Sequence, residues 1–169
     1  KTYAIASSFG FIEKDGDSFY SSQMTLGADG KIADMYRRVS PGWKEAFADV
    51  HYREGDAFHA FTLHGKKVVV GLCGDLWYDG HIDAINRLHP DVAFWPVYTD
   101  YPANEWNTAV KQEYAQQAGK LGCPVLYVNS LCKDKVGDDI ARGGAALFVD
   151  GTIVQEVPSG EENVLFVEA

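Results

Sequence analysis

The sequence predicts an α/β domain built on a mixed β-sheet, and three observations carry that prediction. Apolar runs such as VVVGL and PVLYV show no alternation and read as strands covered on both faces. Through the middle of the chain strand, helix, strand, helix and strand succeed one another, the order of βαβ units. Hairpins with Asp-Gly or His-Gly turns flank that middle on both sides. The 169 residues suffice for one domain with a sizeable core. Its 46% hydrophobic and 13% aromatic residues place the chain among globular proteins.

Each element has its own signal. TYAIASSF reads as an opening strand with no helix before it, which leaves part of the sheet uncovered unless a further piece precedes it. SFYSSQMTLG alternates and runs into the GADGK turn, so KIADMYRRV is the return strand. SPGWKEAFADVHYREGD has no clear period and reads as a long surface connection, a length that is often functional. AFHAFTLHGKKVVVGLC is a second hairpin turning at His64-Gly65, GHIDAINRLH a short helix and PDVAFWPV a buried strand. NEWNTAVKQEYAQQAGKLG has the strongest helical pattern, with Asn104 as expected cap and Gly122 as expected stop. CPVLYVNS is the next buried strand. AALFVDGTIVQEV is a hairpin about Asp150-Gly151, and ENVLFVEA a closing strand.

The charge balance narrows the function. A net charge of −9 and a pI of about 4.9 argue against nucleic acid or an anionic membrane surface as partner, since both require a basic face. No apolar run approaches the roughly 18 residues of a membrane span, and KTYAIASSFG lacks the parts of a signal peptide. Cys73, Cys123 and Cys132 make an odd count without a CxxC pair, so neither a disulfide framework nor a zinc site follows. Reduced thiols in a cytoplasm are expected. The histidines show no HxxxH or HExxH spacing, and the glycine pairs are turn glycines rather than a GxGxxG loop. No cofactor and no metal are implied. The aromatics at 95, 98, 101 and 106 are expected to wall a core or a pocket.

Cys73 is the residue that invites chemistry. It stands where a buried strand ends, the edge at which open α/β folds bind ligands, and Gly74 after it leaves a backbone N–H unobstructed for an oxyanion. A cysteine there needs a base or a cation beside it to react as thiolate. The competing reading is a small buried hydrophobe closing a core strand. Cys123 and Cys132 lack such flanks and read as structural.

The order of motifs resembles that of the carbon–nitrogen hydrolase (nitrilase/amidase) superfamily. GADGKIADMYRR is similar to its segment ending in YRK, and VVVGLCGDLW resembles the segment whose cysteine is the nucleophile. HPDVAFWPV, PVLYVNS and GGAALFVDGTIVQEV resemble the motifs that follow, in the right order over nearly all of the chain. The resemblance implies a four-layer α-β-β-α sandwich over residues 1–169 as a single domain. It implies hydrolysis of an amide or nitrile C–N bond of a small molecule through a cysteine thioester or thioimidate, with a glutamate as base, a lysine on the oxyanion, and commonly a homo-oligomer. Carried over, Cys73 is the nucleophile, Gly74 supplies the oxyanion N–H, and Asp75 and Trp77 fix the turn. Trp77, Trp95, Tyr98 and Asn129 line the pocket.

Two positions depart from the pattern. The family glutamate lies upstream of the matching segments, so the sequence is expected to be the C-terminal larger part of such a domain. The family lysine is Arg38 here; Lys44 is the alternative source of the cation, with Glu45 beside it as the supporting loop glutamate. The remaining alternatives are a binding or assembly module that keeps the sandwich without the chemistry, and an unrelated Cys-His hydrolase with a histidine against Cys73.

Overall fold

The structure, a computed structural model, describes residues 3–133 and 140–168. Strands β1 (Ser7–Asp15), β2 (Ser18–Leu26) and β3 (Ile32–Arg37) form an antiparallel three-stranded meander. The opening strand therefore begins later than TYAIASSF suggests and runs on to Asp15. The tight turn at Gly16, with φ of 57°, sets the cause: it pairs Asp15 with Ser18, and β2 ends opposite Ser7, leaving Tyr3 and Ile5 without a partner strand. One face of this sheet carries the ion pairs of Arg37 with Glu13 and Asp15. The other places Gln23 between Gly10 and Tyr36, and Arg38 hydrogen-bonds its backbone N–H to Ser21 O at 2.9 Å.

A six-stranded mixed sheet follows in the order β4 (Ala60–Leu63), β5 (Lys66–Val70), β6 (Val92–Val97), β7 (Val125–Asn129), β8 (Ala145–Val149), β9 (Thr152–Val157). β6 lies parallel to β5 and β7, and the other pairs are antiparallel. The parallel pairs are joined through helices: α1 (Asp79–Asn86) after β5, and α2 (Ala103–Glu105), a π-helical turn (Trp106–Val110) and α3 (Lys111–Ala118) after β6. The buried strands behave as their composition requires. Val69 packs into the core under the helices, while Val68 and Val70 alternate to the opposite face and are equally buried.

The core lies between the six-stranded sheet and the helices. Trp95 stacks on Tyr114 and Trp106 on Tyr127, with Ile85, Val125 and Phe148 around them. On the far side Tyr36 of β3 stacks on Phe58 at 5.9 Å and joins the two sheets. Helices, sheet and second sheet are three successive layers of an α-β-β-α sandwich.

Three sequence expectations are corrected. Pro102, not Asn104, caps the long helix: its carbonyl accepts the Trp106 N–H at 3.0 Å, and Asn104 lies inside the first turn. The helix stops at Gly119 rather than Gly122, because it packs there against the β8–β9 turn, where a Cβ on residue 119 would lie 2.6 Å from Gly151 Cα. The last segment forms no strand among the described residues. Val164 and Phe166 stay exposed there with no strand beside them, and Ala169 lies outside the described residues. No helix among the described residues is long and apolar enough to cross a membrane.

Candidate active site

Strand β5 delivers Cys73 to the seam between the two sheets. The strand's pairing continues through Gly71 N–H to Phe94 O at 2.9 Å, and the chain then folds into a 3-10 turn, Cys73–Trp77. Gly71 is required here, because a Cβ would collide with the Leu76 side chain. Cys73 itself has φ of 51°, a left-handed conformation that costs a non-glycine residue about 1–3 kcal/mol and persists only where the surroundings hold it.

The surroundings do hold it. The Trp95 indole N–H donates to the Cys73 carbonyl at 2.8 Å. Asp75, fully buried, accepts four hydrogen bonds: Tyr36 Oη at 2.6 Å and Leu72 N–H at 2.8 Å on one oxygen, Ser40 N–H at 2.7 Å and Val39 N–H at 3.2 Å on the other. That satisfies a buried carboxylate, which would otherwise be costly to desolvate. It also ties the cysteine turn to the chain segment after β3, the segment that carries Arg38. Burial first, and then the Asp75 charge, push the Tyr36 phenol far above its ordinary range, so it stays a neutral donor.

Arg38 is 8% exposed, and its guanidinium packs onto the turn so closely that a Cβ on Gly74 would collide with Nη2. Nε donates to Ser40 Oγ at 2.8 Å and Nη2 to Pro41 O at 3.0 Å. Cys73 and Arg38 share a cleft of about 530 Å³, whose walls include Tyr98, Trp43, Gln23 and Ser130. The Cys73 sulfur lies 4.0 Å from the Tyr98 carbonyl oxygen. The Tyr98 hydroxyl is 3.4 Å from Cys132 Sγ, and that contact, followed by desolvation, raises the Tyr98 phenol above its ordinary value.

The structure brings together Cys73, Gly74, Arg38 and Tyr98, and does not bring the other expected residues to the cleft. Lys44 Nζ is held 2.9 Å from Glu54 Oε1 and 2.8 Å from Tyr52 O. Glu45 is exposed on the long connection. Trp95 is fully buried behind the nucleophile turn, as a support rather than a wall. Trp77 is exposed outside the cleft, edge-on to Trp95 and Tyr114. Asn129 spends its amide on Thr99, accepting from its N–H and donating to its carbonyl, both at 3.0 Å.

Sequence reasoning missed Trp43, Tyr36 and Ser40. Trp43 sits in the unpatterned connection, lines the cleft and meets the Tyr52 ring at a tilt, with centroids 5.9 Å apart. The tyrosine of YRR is the one available signal for Tyr36. Among the described residues no carboxylate and no histidine lines the cleft, and no cluster of metal-binding side chains occurs. The arrangement presents a thiol in a strained turn, with the Arg38 guanidinium packed against the glycine that follows it.

The model of a protein family described as carbon-nitrogen hydrolase matches residues 1–169. A relative, the N-carbamoylputrescine amidase of Oryza sativa subsp. japonica, is 23% identical, the match covering 94% of this chain and 57% of the relative. The chain thus spans little more than half the length of that protein. Among solved structures, a glutamine-dependent NAD+ synthetase from Acinetobacter baumannii superposes with TM-score 0.79 at 22% identity, over 94% of this chain and 30% of that one. A carbon-nitrogen hydrolase from Helicobacter pylori G27 superposes with TM-score 0.78 at 17% identity, over 95% of this chain and 61% of that one.

Proposed function

Since the chain belongs to the carbon–nitrogen hydrolase family, we propose that it hydrolyses a non-peptide C–N bond of a small amide or nitrile, with Cys73 as nucleophile. The observation that carries this reading is the packing of Arg38 onto Gly74, beside Cys73, in one cleft.

With an amide, the Cys73 thiolate adds to the carbonyl carbon and the carbonyl electron pair moves onto oxygen. In this reading the Gly74 N–H and the Arg38 guanidinium stabilise that oxyanion. When the pair returns, the C–N bond breaks and the amine leaves with a proton, giving a Cys73 thioester. Water then adds to the thioester carbon, the C–S bond breaks, and a carboxylate and the free thiol remain. With a nitrile, the same attack puts the electron pair on nitrogen, which takes a proton to give a thioimidate; water adds to its carbon, ammonia leaves, and the same thioester results. The resemblance assigns proton transfer to a glutamate, which no described residue of the cleft supplies. Arg38 stands in the lysine's position as a fixed charge that cannot exchange a proton, so its part is electrostatic alone.

A second reading, a binding or assembly module of the same fold, is favoured by that arginine and by the absence of a carboxylate among the described cleft residues. The Cys-His alternative has no histidine among the described cleft residues to support it. Ammonia release from a panel of small amides and nitriles separates the first two. In the intact protein Cys73→Ala and Cys73→Ser should abolish turnover with unchanged circular dichroism; undiminished turnover in either variant defeats the nucleophile assignment, and no turnover by the wild type favours the module.

A further inference from the structure

Among the described residues Arg38 is a buried cation without an anion. Its two hydrogen-bond acceptors, Ser40 Oγ and Pro41 O, are both neutral. None of the ion pairs among the described residues includes it. Its neighbour Arg37 takes Glu13 and Asp15, and Lys44 takes Glu54. The nearby buried carboxylate, Asp75, is occupied by Tyr36, Leu72, Val39 and Ser40. A guanidinium offers five N–H donors, and these contacts use Nε and Nη2. A charge taken out of water to this extent is costly unless a counter-charge meets it, and the open side of Arg38 is the cleft that holds Cys73.

We infer that Arg38 forms a small-carboxylate site in the Cys73 cleft, so that short monocarboxylates bind there and cover the thiol. The planar fork of arginine matches a carboxylate with two parallel hydrogen bonds, which a lysine point charge cannot do. This rests on the hydrolase reading for its biological sense, because amide hydrolysis ends in a carboxylate: the acid product would stay in the cleft and compete with the next substrate. The binding itself needs no turnover.

The test uses propionate as probe and iodoacetamide as reporter, on the intact protein at constant ionic strength with chloride as control. Alkylation of Cys73, read by peptide mass, should slow saturably with propionate and not with chloride. Arg38→Met should weaken that protection about tenfold or more, the loss expected for one charge-assisted hydrogen bond, while Arg38→Lys retains part of it. Equal protection by chloride, no protection by propionate in the wild type, or full protection in Arg38→Met would each overturn the site; the first two need no variant to fold. Failure of the hydrolase reading shows differently, as intact protection without any amide turnover.

Discussion

Asp75→Asn is the substitution whose consequence the structure fixes most closely. The carboxylate is fully buried and accepts four donors, two on each oxygen. An asparagine keeps one acceptor oxygen and turns an NH2 group toward the other pair. Its cheaper orientation faces Tyr36, whose hydroxyl can rotate to accept; the Leu72 N–H is then left without a partner. One orphaned buried donor costs about 1–3 kcal/mol, and the bonds that remain lose their charge assistance, so a total near ~3 kcal/mol is expected. For a domain of this size that is a fall in Tm of about 6–12 °C. Urea unfolding followed by tryptophan fluorescence measures it, provided the slope m is unchanged. Turnover should fall as well, because the same carboxylate sets the spacing between Cys73 and Arg38. A loss below about 1 kcal/mol would refute the claim that Asp75 clamps the two sheets together at the site.

Three further outcomes are expected. Gly74→Ala should lower turnover more than Tm, since its methyl group displaces the Arg38 guanidinium; activity assays beside thermal unfolding decide it. Arg37 holds the Glu13 carboxyl below its ordinary value, so this pair stabilises the fold above the usual carboxylate range and the gain is lost as pH falls through the depressed value. Glu13→Gln should therefore cost about 1 kcal/mol or less at neutral pH, with wild-type and variant unfolding curves converging on acidification. Burial pushes the Cys123 thiol up to about 11, so in the native protein at pH 8 it should resist iodoacetamide while Cys73 reacts, as peptide mapping will show.

What the sequence disclosed and what it withheld divide along physical lines. Local signals were legible: His64-Gly65 and Asp150-Gly151 turn their hairpins with positive φ at both residues, and the unalternating VVV of β5 is covered on both faces. The nucleophile candidate was legible because a strand end, a cysteine and a glycine are contiguous. Contacts between segments distant in the chain were not. Nothing local says that Arg38 meets Gly74, that Trp95 turns its N–H back to the Cys73 carbonyl, or that Lys44 is taken up by Glu54. The π-helical turn, in which Trp106 and Val110 are buried, likewise has no mark in the local sequence. ENVLFVEA has the composition of a strand, yet a strand needs a neighbour to pair with, and composition cannot supply one.

The central claim is that Cys73 carries the acyl group. Acid-quenching the intact protein during turnover of a small amide, then mapping peptides by mass, tests it directly. The acyl mass should appear on the peptide containing Cys73 and vanish in Cys73→Ala together with ammonia release. An acyl group found on Cys132 instead, or ammonia release undiminished in Cys73→Ala, would contradict the account.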